Sequence, residues 1–152
     1  MGGELPLYGV STLEAMALSL GAYSGYVCAV MDARRSQVYN ALFYVNHGEL
    51  TRVTEDRAIA LSDLAAELKN LKEPIFLVGD GSILCYNTLR KEIPNLIPAP
   101  EHHQHQRASG VALAAAEMAA QGLEPSGAEV VPNYLRLSQA ERDRAEKLKI
   151  SN

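Results

Sequence analysis

A chain of 152 residues that is 47% hydrophobic and 21% charged is long enough to bury a core and too apolar to be disordered. Its formal net charge of -4 gives no overall attraction for nucleic acid, so any role on RNA is expected to run through a partner. The opening MGGELPLYGV lacks the basic and long apolar segments of a signal peptide, and no apolar run approaches the ~20 residues that span a bilayer.

In chain order, GVSTLEAMALSLG predicts an opening helix over residues 11–21. Ser11 and Glu14 have capping-box spacing, Leu13, Met16, Ala17 and Leu20 share one face, and Gly21 can end it. Two runs rich in Val, Tyr and Phe follow, Tyr26 to Met31 and Val38 to Val45. They flank the polar stretch Asp32-Ala33-Arg34-Arg35-Ser36-Gln37 and read as the strands of a hairpin. Asn46-His47-Gly48 is a turn signal, and a third strand is expected over Glu49 to Thr54.

LSDLAAELKNL reads as an amphipathic helix capped by Ser62, with Leu64, Leu68 and Leu71 inward. EPIFLVGDG is a short continuous apolar run, as a fully buried strand shows, and the helix SILCYNTLRKEI continues from Ser82. The prolines of NLIPAP confine it to a sheet edge or an extended segment. QRASGVALAAAEMAAQG predicts a long Ala-rich helix ending at Gly122, and VVPNYLRL is short and extended. Residues 1–137 read as a single lobe, because neither an internal repeat nor a shift in composition divides them. Residues 138–152 are charged and expected to be a mobile tail.

Helix, three strands, helix, strand, helix, weak strand, helix is an α/β order that implies a mixed sheet covered by helices. It is the order of one lobe of the ribonuclease H-like (actin/Hsp70-like, ASKHA) fold.

The hairpin tip sets Asp32 beside Arg34 and Arg35, a pattern shared by a catalytic carboxylate, a phosphate site and a solvated turn. Cradling a phosphate needs glycines so that backbone amides can approach, and this tip has none, whereas Asp bonds loop amides in ordinary turns. Val78-Gly79-Asp80-Gly81-Ser82 puts a Gly-rich turn before a helix N-terminus, which suits an anion and equally any tight strand-to-helix turn.

His102, His103 and His105 have neither i,i+4 spacing nor cysteine support, so they read as a solvated connector and no metal is expected. Glu55-Asp56 and Glu141-Arg142-Asp143-Arg144 read as solvated charge runs. Cys28 and Cys85 lie in apolar runs without CxxC spacing and are expected to be buried, reduced thiols of the cytosol. No Ser-His-Asp or Cys-His arrangement stands out, so no catalytic residue is assigned.

Four landmarks in order, LPLYGVSTLEAMA, CAVMDARRSQVYNALF, FLVGDGS and VPNYLRLSQAERDRAEK, resemble successive segments of the bacterial TsaB (YeaZ) family. The resemblance runs from about Leu5 to Lys149. It implies a cytoplasmic, two-lobed protein in the pathway that places threonylcarbamoyl on the tRNA adenosine beside the anticodon. Its role there is that of a non-catalytic dimerisation scaffold for the transferase TsaD. The ATPase TsaE joins the pair, tRNA is met only indirectly, and the scaffold has no cofactor of its own. The chain corresponds to the C-terminal lobe, with the helix over 11–21 as the link to an N-terminal lobe. That lobe's Asp-Thr-Ser strand and Gly-Pro-Gly-Ser-Phe-Thr-Gly-Leu-Arg motif are absent from this sequence.

In nucleotide-binding proteins of this fold, Asp32 falls where a phosphate-contacting loop lies and Gly79-Asp80-Gly81 where the adenosine is held. The resemblance thus marks Asp32, Gly79, Asp80 and Gly81 as a degenerate nucleotide site, and Arg34 and Arg35 as a partner contact. A reading of a different class is a nucleotide-dependent enzyme of the sugar-kinase or ATPase kind that uses Asp32 and the Gly79–Gly81 turn. Apolar surface left without its lobe is expected to make the chain self-associate as a dimer, through the opening helix or the tip near Arg34.

Overall fold

The computed structural model describes residues 5–135. The expected tail and the Glu141 to Arg144 run lie outside these residues. Helix α1 (Thr12–Leu18) begins where Ser11, in extended backbone, accepts the Glu14 amide on its hydroxyl at 3.2 Å. Only that half of the capping box forms. The Glu14 carboxylate pairs with Arg52 instead of returning to the cap. Leu20 falls beyond the helix end and is still fully buried.

Strands β1 (Gly25–Asp32) and β2 (Gln37–Asn46) pair antiparallel from Gly25 opposite Val45 to Asp32 opposite Val38. Strand β3 (Glu49–Arg52) covers the second half of β2 and stops short of the expected Thr54. A strand the sequence pattern did not announce, β4 (Arg57–Ala60), then pairs with the first half of β2, Gln37 opposite Ala60. Between them the Leu42 carbonyl accepts both Val53 and Thr54 amides, at 2.8 and 3.1 Å, and Thr54 Oγ1 accepts the Leu42 amide. The edge is therefore one interrupted strand, with Glu55 and Asp56 in the interruption.

Helix α2 (Leu61–Leu68) has Ala60, not Ser62, at its N-cap position. Its start is set by the sheet, because the Leu61 amide bonds the Ser36 carbonyl at 3.0 Å. Strand β5 (Ile75–Val78) lies parallel to β1, and β6 (Leu96–Pro98) is the parallel edge strand that its prolines require. Helix α3 (Ser82–Leu89) ends before the expected Ile93, which precedes Pro94 and is disfavoured in helical backbone for that reason. Helix α4 (Ala108–Ala120) closes the order.

The path across the sheet is β3-β2-β1-β5-β6, with β4 beside β3 on the same edge of β2. Both faces are covered, and successive strand residues alternate between them. Val27, Ala29, Phe43, Val45, Phe76 and Val78 pack toward Leu13, Met16 and Leu20 of the opening segment. Cys28, Val30, Leu42, Ile75 and Leu77 pack toward α2 and α3 through Leu64, Leu68, Cys85 and Leu89. Met16 and Leu20 are thus buried inside one chain. The inner face of the opening helix is already covered, which corrects the expectation that it is free to meet a second copy.

Asp56 also departs from its reading as a solvated charge. It accepts Ser11 Oγ at 2.6 Å and Arg52 Nη1 at 2.7 Å, while Arg52 lies over the Phe43 ring and pairs with Glu14. Burial works against the Arg52 charge, but the bonds to Asp56 and Glu14 outweigh it and raise its pKa. On the other face the buried Asn40 donates to Cys28 Sγ and the Ala29 carbonyl, and its Oδ1 accepts from Arg57.

Helices α1 and α4 meet so closely that a Cβ on Gly110 would lie 2.3 Å from the Ala15 carbonyl oxygen. Ala gains ~1 kcal/mol of helix propensity over Gly, but overpacking against backbone costs ~1–3 kcal/mol. Gly110→Ala is therefore expected to lower stability by up to about 2 kcal/mol, read as a lower denaturation midpoint with unchanged slope; a stabilised variant would show that α4 rides free of α1.

Candidate functional site

Strand β1 leads to β2 on one side and neighbours β5 on the other, so the strand order reverses between β1 and β5. In open α/β sheets, ligand crevices form outside the carboxyl ends of parallel strands at such a switch point. Asp32 ends β1 and Gly79-Asp80-Gly81 follows β5, so the fold unites the two candidates at that place.

Gly79 has φ of 104°, and a Cβ there would fall 2.1 Å from the Val30 carbonyl oxygen. Only glycine fits. The same carbonyl accepts the Gly81 amide at 3.2 Å, and the Gly79 carbonyl accepts the Ser82 amide at 3.0 Å, which starts α3. Asp80 Oδ1 accepts the Asp32 amide at 3.1 Å, and Asp32 Oδ1 accepts the Arg34 amide at 2.7 Å. One oxygen of each carboxylate is thereby committed to loop amides. Ser82 is fully buried, and its hydroxyl has no hydrogen-bond partner among the described residues.

The tip is held in unusual backbone. Arg34, Arg35 and Ser36 all have positive φ, from 53° to 61°, a region that costs a non-glycine residue ~1–2 kcal/mol. Three backbone bonds retain it, between Ala33 and Gln37, Gln37 and Arg34, and Leu61 and Ser36. Arg34 and Arg35 are exposed and enter no ion pair among the described residues.

On the α1 side of the same end lies an open groove of about 870 Å³, whose lining includes Tyr8, Ser11, Met31, Tyr39, Asp56 and Tyr134. The Ser126 amide bonds the Leu7 carbonyl at 2.8 Å, which holds the two outer segments against each other. Nothing in the local sequence marks Tyr8, Tyr39 or Tyr134, because the groove is assembled from distant segments.

His102 and His103 stack with ring centroids 4.3 Å apart, and among the described residues no group of three or more His, Cys, Asp or Glu is placed to hold a metal. Both cysteines are buried and unpaired. Burial pushes both thiols up, the Cys85 thiol to about 12, far from the range of an activated nucleophile. Among the described residues no helix is long and apolar enough to cross a membrane.

A two-faced sheet of this order, with its crevice at the switch point, defines a single lobe of the ribonuclease H-like, actin-like class. The family described as "TsaD: tRNA N6-adenosine threonylcarbamoyltransferase" matches residues 1–143. The chain belongs to that family, as a member of the TsaB/YeaZ type. It is 29% identical over 144 residues to the tRNA threonylcarbamoyladenosine biosynthesis protein TsaB of Bacillus subtilis (strain 168), an alignment covering 91% of this chain and 59% of that relative. Two solved structures share its fold. One is of YeaZ from Pseudomonas aeruginosa, with TM-score 0.54 and 18% identity, covering 85% of this chain and 60% of that one. The other is of an uncharacterized protein with similarity to peptidase YEAZ from Pseudomonas aeruginosa, with TM-score 0.56 and 18% identity, covering 86% and 59%. The chain therefore spans about three fifths of the length of these relatives.

The close approach of Gly79 supplies a contrast with its neighbour. Gly81 has ordinary φ and its added Cβ would stand 3.2 Å from the nearest backbone atoms. Gly79→Ala is expected to cost ~3 kcal/mol or more, and Gly81→Ala about 1 kcal/mol; equal losses in thermal or chemical unfolding would contradict this account of the turn.

Proposed function

We propose that the chain is part of a non-catalytic scaffold subunit that serves threonylcarbamoyl modification of tRNA by supporting a TsaD-type transferase, with a TsaE-type ATPase as a further partner. The family match and the pathway named for the Bacillus relative support the reaction context. The observation that carries the non-catalytic reading is the fate of Asp32 and Asp80. Each of these carboxylates gives one oxygen to a loop amide, the structural use of Asp in a turn, which supports the non-catalytic reading. Arg34 and Arg35 are the partner contact in this reading, because they project unpaired from a fixed loop. The acidic balance of the chain fits contact with tRNA through the partner.

A second reading, a nucleotide-dependent enzyme, draws on the position of Asp32 and the Gly79–Gly81 turn at the switch point. Calorimetry with ATP and magnesium separates the two. Measurable affinity that Asp32→Asn abolishes would favour the enzyme, and no heat of binding favours the scaffold.

Self-association belongs to the same proposal, on a different surface from the opening helix. Val131 and Tyr134, which line the groove, and Leu5 are each more than three quarters exposed, and a symmetric pair would cover them. Light scattering over a tenfold concentration range is expected to show a dimer, and a monomer mass throughout would remove this part.

For the partner contact, Arg34→Glu combined with Arg35→Glu is expected to leave the unfolding midpoint nearly unchanged. The same pair of substitutions should weaken binding to the cognate TsaD-type transferase roughly tenfold or more, chiefly at low salt. Unaltered affinity would move the contact elsewhere.

A further inference from the structure

The groove of about 870 Å³ beside α1 is walled by backbone that the fold leaves unpaired. Residues 131–134 line it, and residues 5–10 reach it at Tyr8, Gly9 and Val10. Neither segment belongs to a strand or helix, and apart from the bond between Ser126 and Leu7 neither has a hydrogen-bond partner among the described residues. Tyr8, Tyr39 and Tyr134 present rings to the groove. The aromatic pairs among the described residues are Tyr23 with Phe76, Tyr26 with Tyr44 and His102 with His103, so these three rings are unstacked. The one carboxylate of the lining, Asp56, is already satisfied, with one oxygen on Ser11 and the other on Arg52.

Charge stands at one end. Met31 and Tyr39 line the groove and are register partners, and the hairpin tip closes two residues beyond them through the Ala33 amide on the Gln37 carbonyl. At ~3.3 Å per strand residue the tip backbone lies ~7–10 Å past the groove. Arg34 and Arg35 are exposed there and enter no ion pair among the described residues. Unpaired cations, open tyrosine rings and free main-chain groups therefore adjoin one another.

We propose that this groove docks an extended acidic peptide segment of a partner protein. Its carboxylates meet Arg34 and Arg35, its apolar side chains lie between the tyrosines, and its backbone bonds the free groups of residues 5–10 and 131–134. Extended peptides draw affinity from main-chain hydrogen bonds and specificity from side-chain pockets. Tyrosine and arginine are also the residues that interfaces concentrate. A single-stranded RNA fits less well, because it brings a charge at every nucleotide against two free cations on a chain of net charge -4. The symmetric pair proposed above covers the same apolar rim, so peptide and second copy compete for it. Arg34 and Arg35 are the partner contact of the scaffold reading, so the identity of the protein that carries the segment rests on that reading; the groove's preference for the segment does not.

Selection of random dodecapeptides from a display library on the full chain tests this, with affinities measured by fluorescence anisotropy on synthetic copies of the enriched sequences. Those sequences are expected to carry carboxylates at one end and apolar residues beyond them, and to bind less tightly as salt is raised. Tyr134→Ser, at a position 82% exposed, and Arg34→Gln with Arg35→Gln are each expected to weaken binding roughly tenfold or more with the unfolding midpoint unchanged. Enrichment without carboxylates, affinities that both variants leave intact, or tighter binding by a decauridylate would overturn the proposal. So would the absence of any enriched sequence, which beside a persistent dimer assigns the groove to a second copy. Peptide binding together with a cognate transferase whose affinity ignores the two arginines would keep the groove's ligand class and remove the scaffold reading of it.

Discussion

The contact between the Gly79 backbone and the Val30 carbonyl governs the carboxyl end of this molecule. Parallel pairing of β1 with β5 sets Ala29 opposite Val78, and the chain must then leave β5 without a side chain to clear β1. Positive φ at Gly79 provides that exit. The turn returns the Gly81 amide to the same carbonyl, begins α3 at Ser82, and lays Asp80 over the amide of Asp32. One backbone approach thus fixes a strand end, a helix start and a carboxylate together.

Two kinds of force place α1, and their sizes differ. Partly exposed ion pairs such as Arg52 with Glu14 and Asp56 contribute ~0.2–1 kcal/mol each, while burying a side chain such as Leu13, Met16 or Leu20 contributes ~1.5–3 kcal/mol. Apolar burial therefore holds the helix on the sheet. The charges do something narrower: Ser11, Glu14, Arg52 and Asp56 tie the first turn to the interruption between β3 and β4. Register along the sheet face comes from packing, and the rotation of the helix start from these bonds.

Where local pattern and tertiary structure agree, the sequence was readable. β1 and β2 carry apolar residues on both faces around a polar tip, and β5 is a continuous apolar run, so each announced itself. β4 did not, because Arg57–Ala60 is too short for a pattern and its partner is the first half of a strand nearly twenty residues back. Ser62 and Glu14 had the right chemistry for caps, but the bond from the Leu61 amide to the Ser36 carbonyl starts α2 ahead of Ser62, and Arg52 takes the Glu14 carboxylate. At the candidate site, Asp32 and Gly79–Gly81 were each visible as motifs. Their adjacency was not, since only the parallel pairing of β1 with β5 brings them together. The groove at Tyr8 and Tyr39 is a product of packing between remote segments, so no local spacing could mark it.

Charge at the switch point is sorted by direction. Asp32 and Asp80 each give an oxygen inward to backbone amides, whereas Arg34 and Arg35 stand outward without partners among the described residues. The outward pair rests on strained backbone, and such strain persists only when surrounding bonds over-determine it. Here they do, through Gln37 on one side and the Leu61 amide at the head of α2 on the other. Held in left-handed backbone, the arginines keep a local positive field on an acidic molecule, and fixed complementary charge acts on the rate and specificity of encounter more than on bond chemistry. On the scaffold reading proposed above, a loop that holds its cations outward, while its carboxylates bond its own backbone, suits recognition of an acidic partner surface.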